Sequence, residues 1–236
     1  MGGRYTPGVV RVGGTVRRPS SEASGFIRIL LTHLENVGFH GSPRYLGLDE
    51  GQRDILSYIP GWVPEKFQKF TNEQIGSVGA LLKRFHQATK GCHLVGTKKV
   101  ICHHDPGPNN TVFQNGEPVA FIDFDFAAPG DPIEDLGYMA WSWCVSSKPE
   151  RGPASFQAIQ VRALADSYDL NMENRHGILD SILERQSRNI KFWSERVNTF
   201  NEALANRDEI IERINWSHRE LDFTRTHKND FLSALN

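Results

Sequence analysis

The sequence predicts an α+β protein with a small β-rich N-terminal lobe over residues 1–60 and a larger, mostly helical C-terminal lobe over residues 61–236. Three observations carry this. Short β-type runs around Gly13-Gly14, and again between Arg44 and Ile59, bracket one amphipathic helix. Pro60-Gly61 then breaks the pattern. Beyond it apolar residues recur at helical spacing, interrupted by one hairpin centred on Asn115-Gly116.

Taken in order, residues 9–12 and 15–18 read as strands joined by a Gly13-Gly14 turn. Ser20 and Ser21 stand as caps for a helix whose apolar face includes Phe26, Leu30, Leu34 and Val37, with Gly38 as its stop. Residues 44–48 and 54–59 are two further strand-like runs. Thr71-Asn72-Glu73-Gln74 fits a capping box, and Ile75, Val78, Leu82 and Phe85 form one helical stripe behind it. Asp131-Pro132-Ile133-Glu134 is a second start, with an acid at N-cap, Pro at N1 and Glu at N3. After about residue 155 the apolar residues Ile178, Ile182 and Phe192, then Ile210, Ile211 and Ile214, keep helical spacing.

With 236 residues, 39% hydrophobic content, five Trp and 14 Phe, the chain can bury a substantial core. Its formal net charge of −1 gives no reason to expect a nucleic-acid partner. Three cysteines form no even framework, which points to a reducing, cytoplasmic setting. No apolar run is long enough to span a membrane, and MGGRYTPGVV lacks the basic and apolar regions of a signal peptide.

The chemistry concentrates between Cys102 and Asp125, CHHDPGPNNTVFQNGEPVAFIDFD. A two-residue turn at Asn115-Gly116 pairs Gln114 with Glu117, Phe113 with Pro118 and, continued, Asn110 with Phe121. Asp123 then lies on the face of Asn110 and diagonal to it, about 7–8 Å away at the backbone. From there an amide oxygen and a carboxylate reach one small cation, and oxygen donors suit Mg²⁺ shared with phosphates. Asp105 precedes Asn110 on a loop stiffened by Pro106 and Pro108. It stands beside such a metal without binding it, the arrangement expected of a base that orients a hydroxyl. The plainer alternative for each residue alone is a turn or cap on a surface loop.

His103, Asp105 and Asn110 with Ile122-Asp123-Phe124 resemble the catalytic core of the aminoglycoside phosphotransferase family, relatives of protein and choline kinases. The run Gly130-Asp131-Pro132-Ile133-Glu134-Asp135-Leu136 continues the likeness. The resemblance implies a protein-kinase-like two-lobed fold that binds ATP or GTP with Mg²⁺ around Pro60-Gly61. It implies transfer of the γ-phosphoryl group to a hydroxyl of a small molecule, an aminoglycoside or another antibiotic among the candidates. Asp105 would be the base, with Asn110 and Asp123 the metal ligands. His103 and His86 would be structural, Asp131 and Asp135 a helix cap and a loop anchor. Asp125 is an extra acid, open to a metal, substrate or solvent role. Leu56-Ser57-Tyr58-Ile59-Pro60-Gly61 resembles the hinge that meets adenine, with Ser57 and Ile59 as its contact positions.

The pattern departs from the family in the nucleotide half. Where kinases carry a lysine for the α- and β-phosphates, Val16-Arg17-Arg18-Pro19 offers Arg18 first and Arg17 second. No acid is evident to pair with this cation, since Glu22 comes early and Arg28 occupies the expected turn. A phosphate-covering glycine loop would have to start at Gly2-Gly3. These departures support an alternative, a nucleotide-binding pseudokinase or interaction protein without turnover. A zinc site at Cys92-His93 and Cys102-His103-His104 matches no usual ligand spacing. Acids and bases nearly balance after residue 150, which gives no support for a polycationic acceptor; Glu134, Asp180 and Glu184 read either as a pocket lining or as helix-surface charges.

Overall fold

The computed structural model describes residues 8–65, 68–198 and 207–236; the Gly2-Gly3 segment lies outside them. Strands β1 (Val10–Val12), β2 (Thr15–Arg18), β3 (Tyr45–Leu48) and β4 (Asp54–Ser57) form an antiparallel sheet in the order β1-β2-β4-β3. The Gly13-Gly14 turn pairs Val12 with Thr15, and β2 then sets Arg18 opposite Asp54.

Helix α1 (Ser24–Asn36) buries Ile27, Leu30, Leu31 and Leu34. The face expected through Phe26 and Val37 is therefore rotated, and Val37 is 51% exposed. The cause is that Ile27, Leu30, Leu31 and Leu34 form the continuous i, i+3, i+4, i+7 stripe, and Asp54 on β4 fastens that side by accepting from Ser24 Oγ at 2.6 Å and from Arg28 Nε at 2.8 Å. Ser20 and Ser21 are not the caps. Ser20 Oγ donates to the Gln52 carbonyl, and the Ser21 amide donates to Ser24 Oγ. Gly38 does end the helix, at φ +76, with the Phe39 amide reaching back to the Leu34 carbonyl at 2.8 Å.

The described residues fall into two compact units, one drawn from Met1–Lys66 and Ser77–Asp135, the other from Phe67–Gly76 and Leu136–Asn236. These units divide the chain differently from lobes split at Pro60-Gly61, because the chain past that point stays bonded within the first unit. Trp62 and Phe113 exchange backbone hydrogen bonds of 3.1 and 2.8 Å, and Gln114 Nε2 donates to the Pro60 carbonyl at 2.7 Å. Gly61 permits the approach: a Cβ there would lie 2.4 Å from the Phe113 carbonyl oxygen.

The first unit also holds most of α2 (Asn72–Thr89), a short pair β5 (Val100–Cys102) with β8 (Ala128–Gly130), and the hairpin β6 (Thr111–Gln114)–β7 (Glu117–Phe121). Thr71 and Gln74 form the reciprocal capping box at 3.1 and 3.2 Å, and Ile75, Val78, Leu82 and Phe85 are fully buried. At the hairpin, Asn115 and Gly116 have φ +52 and +85, as a type I′ turn requires. The register expected below it is corrected by a bulge. Gln114–Glu117 and Phe113–Pro118 hold, but Val112 then faces Ala120 and Thr111 faces Phe121, leaving Val119 as the extra residue. The bulge turns Phe121 into the core against Phe85 and His103. Asn110 is thereby placed opposite Ile122, whose amide donates to its carbonyl at 2.9 Å.

Helix α3 (Pro132–Met139) begins in the first unit and from Leu136 belongs to the second, where it runs on into a π-helical turn at Ala140–Cys144. Helices α4 (Ala154–Tyr168), α5 (Met172–Asn198), α6 (Arg207–Thr226) and α7 (Lys228–Leu235) follow. Ile178, Ile182 and Ile210 are buried as their spacing predicts. Phe192 leaves the stripe, 38% exposed, with the Arg196 guanidinium 3.4 Å over its ring. No helix among the described residues is long and apolar enough to cross a membrane.

Candidate active site

The loop after β5 hangs from one buried carboxylate. Asp135 takes the His104 amide on Oδ1 at 2.7 Å, and on Oδ2 the His103 amide at 2.7 Å and His86 Nε2 at 3.0 Å. Burial works to raise its pKa, but the His86 hydrogen bond and charge, with His103, hold the carboxyl below the usual range. His103 is fully buried, and burial pushes its pKa down. Its ring spans the site, with Nε2 3.1 Å from the Ile122 carbonyl and Nδ1 3.4 Å from the Asp105 amide. A carbonyl at one nitrogen and an amide donor at the other match the neutral ring protonated on Nε2. His103 thus ties the Asp105 backbone to the residue before Asp123.

Asp105 and Asn110 are joined directly. The Asn110 amide group donates to the Asp105 carbonyl at 2.9 Å and to Asp105 Oδ2 at 2.8 Å. With Nδ2 so committed, the Asn110 side chain offers Oδ1 as its acceptor, which Asn109 Nδ2 steadies at 2.9 Å. This orientation leaves an oxygen, not a nitrogen, for a cation.

Asp123 adopts φ +65, a left-handed conformation uncommon for a residue with Cβ. Its carboxyl is pushed up to about 6 by burial and by the charges of Asp125 and Asp105, against which Arg18 acts. Asp123 keeps part of its surface in solvent, so the crowding of carboxylates is the firmer part of this shift. Such mutual repulsion fits a divalent cation, which would relieve it. Arg18 is 7% exposed and its Nη2 donates to Asp125 Oδ1. Asp105, Asn110, Asp123 and Arg18 are therefore brought to one place, with Asp125 among them.

Arg17 is turned elsewhere, its Nη1 on Thr15 Oγ1 at 2.7 Å and its Nε 3.8 Å from Asp49. Ser57 spends its amide on the Arg44 carbonyl, and its hydroxyl oxygen accepts from the Arg44 amide, so its amide is not available to a nucleotide. Among the described residues Ile59 makes no backbone hydrogen bond, which leaves both of its polar groups for a ligand edge. Ser57, Ile59 and Arg44 border a hollow of about 250 Å³ shared with the end of α1.

Two features were not anticipated. His104 holds φ +62 and bridges outward, Nδ1 3.0 Å from the Phe126 carbonyl and Nε2 3.2 Å from Glu134 Oε2. Asp125 is the acid on Arg18; the second acid in Ile122-Asp123-Phe124-Asp125 was a signal, but nothing in a linear pattern links positions 107 residues apart. Asp131 takes Lys99 Nζ at 2.6 Å while its amide donates to Glu134 Oε1 at 3.0 Å, and Glu184 pairs with Arg188 along α5. His86, Cys102 and Asp135 also converge. That donor set does not suit zinc: His86 and Asp135 bond each other, and burial and neighbouring carboxylates push the Cys102 thiol far up.

Residues 93–169 match the Phosphotransferase enzyme family. The trifolitoxin immunity protein of Rhizobium leguminosarum bv. trifolii is 29% identical over 263 aligned residues, 99% of this chain and 96% of that protein. A choline/ethanolamine kinase family protein from Mesorhizobium loti superposes with a TM-score of 0.62 at 15% identity, over 96% of this chain and 88% of that one. Spectinomycin phosphotransferase, solved with ADP and spectinomycin, superposes with a TM-score of 0.57 at 13% identity, over 85% and 80% of the two chains.

Proposed function

We propose, from the premise that this chain has the protein-kinase-like fold and resembles the Phosphotransferase enzyme family, that it transfers the γ-phosphoryl group of a nucleoside triphosphate to a hydroxyl of a small molecule. The observation that carries the reading is the Asp105–Asn110 pair, with Asp123 and Arg18 beside it. Asn110 fixes the Asp105 carboxylate by Oδ2, and that carboxylate would accept the proton of an incoming hydroxyl. Asn110 Oδ1 and Asp123 would hold Mg²⁺, which when bound neutralises charge on the transferring phosphate. Arg18 would hold the polyphosphate, and the backbone of Ile59 would meet the base. His103 keeps the Asp105 segment in register with Asp123, so that base and metal ligand move as one piece. Rate enhancement would come from positioning and charge stabilisation rather than from covalent chemistry.

The test is product detection by mass spectrometry after incubation with Mg²⁺ and ATP or GTP. The acceptor panel holds aminoglycosides, other hydroxylated antibiotics, amino alcohols, sugars and, given the trifolitoxin immunity protein among the relatives, trifolitoxin. Asp105→Asn should leave nucleotide affinity nearly unchanged and lower transfer by about 10²–10⁴. Equal turnover by Asp105→Asn would remove Asp105 from its role. A second reading, nucleotide binding without turnover, is favoured by one observation: the phosphate-binding cation is an arginine already engaged by Asp125. It predicts Mg²⁺-dependent nucleotide binding with no product from any acceptor.

A further inference from the structure

We propose that Asp125 is the positioning residue for the phosphate-binding cation, taking over from the sheet-facing helix the task of orienting Arg18, and that this pairing is why the cation is arginine. The inference rests on the phosphotransferase reading of the same site.

Three observations converge. The helix supplies no acid to Arg18, because α1 presents Ser24 and Arg28 instead. The acid directly across the sheet, Asp54, is engaged by the helix on both oxygens: Oδ2 accepts from Ser24 and Oδ1 from Arg28. Asp125 is what remains, and it takes Arg18 Nη2. Next, Arg18 is more than nine-tenths buried, and its Nε has no hydrogen-bond partner among the described residues. A buried guanidinium N–H without an acceptor is unfavourable unless a ligand supplies one. Finally, the chemistry of the two cations differs. A guanidinium carries five N–H donors in a rigid fork, so one edge can stay on Asp125 while Nε and the other edge take phosphate oxygens. Lysine gathers its three N–H donors on one compact ammonium, so it can serve both Asp125 and phosphate only where the two acceptors crowd a single point, whereas the longer guanidinium fork spans acceptors set apart. Asp125 also approaches the Asp123 carboxyl, so the same side chain links the phosphate-binding cation to a metal ligand.

The unexpected consequence is that Arg18→Lys, the change that restores the usual kinase residue, should impair the protein. Isothermal titration of the full chain with Mg²⁺·ATP, and separately with adenosine, reads this without any acceptor. Arg18→Lys and Asp125→Ala should each weaken Mg²⁺·ATP binding about tenfold or more, with adenosine affinity within about twofold of the parent. The double variant should bind no more weakly than the worse single one, because both changes break one device. Asp125→Asn, which keeps shape and an acceptor oxygen, guards against a folding defect and should fall between the parent and Asp125→Ala. Arg18→Lys binding Mg²⁺·ATP as well as the parent would overturn the inference, as would losses that simply add, while leaving the phosphotransferase reading standing. A parent protein that binds no Mg²⁺·ATP at all would overturn both.

Discussion

Replacing Asp135 by Asn changes one atom at a junction where three donors converge, and the cost can be worked from the contacts. Oδ1 accepts from the His104 amide, and Oδ2 from the His103 amide and His86 Nε2. An asparagine amide set with its nitrogen at the Oδ1 position faces the His104 N–H. Set the other way, it faces the His103 N–H. Either choice loses at least one charge-assisted hydrogen bond, about 1.5–3 kcal/mol, and sets two donors against each other in a site without solvent. The surviving bonds become neutral, so the total is on the order of 3–5 kcal/mol, a large part of an ordinary stability of about 5–15 kcal/mol. At about 2–4 °C per kcal/mol for chains of this size, Tm should drop by roughly 10 °C. The functional loss should exceed what binding reports, because the junction orients Asp105: nucleotide affinity, read below the melting range, should change little while turnover falls. The pH dependence has a definite sign. Asp135 is held below its ordinary range in the fold, so its stabilisation is present above the unfolded carboxylate value and is lost as pH falls through the folded one. His103 is also held low, by burial, so its contribution is present above the unfolded imidazole value of about 6.5 and declines as pH falls below it. Urea unfolding followed by Trp fluorescence at pH 7.5 and at pH 4 separates these. A penalty for Asp135→Asn below about 1 kcal/mol at pH 7.5 would refute the account of the junction.

Asp123 predicts the opposite sign. Its carboxyl is pushed up to about 6, so its contribution is fully present below the ordinary carboxylate range and is lost as pH rises through about 6. Asp123→Asn should therefore raise the Tm of the metal-free protein at pH 7.5 while abolishing stabilisation by Mg²⁺; an unchanged Mg²⁺ response in melting curves would exclude Asp123 as a ligand. In the parent, Mg²⁺ should stabilise at pH 7.5 and much less at pH 5, where the proton competes for the same oxygens. Gly61→Ala places a Cβ 2.4 Å from the Phe113 carbonyl oxygen at φ +144, and should destabilise by more than about 1 kcal/mol. Thermal melting reads it, and an unchanged Tm would mean that the Pro60–Trp62 segment is not held against β6.

What the sequence made legible was local. The Asn115-Gly116 turn, the Thr71–Gln74 box and the buried stripe of α2 each depend on residues within one or two turns of each other, and each appears where its spacing placed it. What it hid was set by distant partners. Which of the apolar residues of α1 turn inward is settled by the sheet: Ile27, Leu30, Leu31 and Leu34 are buried on the side that Asp54 of β4 holds through Ser24 and Arg28. The Val119 bulge lies directly after Pro118, a residue equally compatible with a regular edge strand, and its effect is that Phe121 is buried in the core. The chain past Pro60-Gly61 stays in the first unit because Phe113, about fifty residues on, supplies its backbone partners. At the site, Asp105, Asn110 and Asp123 were readable as a spaced set, whereas the acid for Arg18 was sought on the nearest helix and lies 107 residues away.

Charge order rather than missing charge sends Arg18 to a distant acid. Arg18 and Asp54 are cross-strand partners, and a sheet of this kind would ordinarily let them neutralise each other. The helix prevents it: Arg28 and Ser24 occupy both oxygens of Asp54, and Arg18 is left to the loop that carries Asp123. Two ion pairs, Arg28–Asp54 and Arg18–Asp125, therefore stand where kinases have a single helix–strand pair. The first pair fastens α1 to the sheet. The second joins Arg18, the proposed phosphate-binding cation, to the segment that carries Asp123, the proposed metal ligand. In this arrangement the departures from the family pattern, arginine for lysine and a basic helix turn, compensate each other, and neither alone would leave Arg18 with both a partner and a free donor.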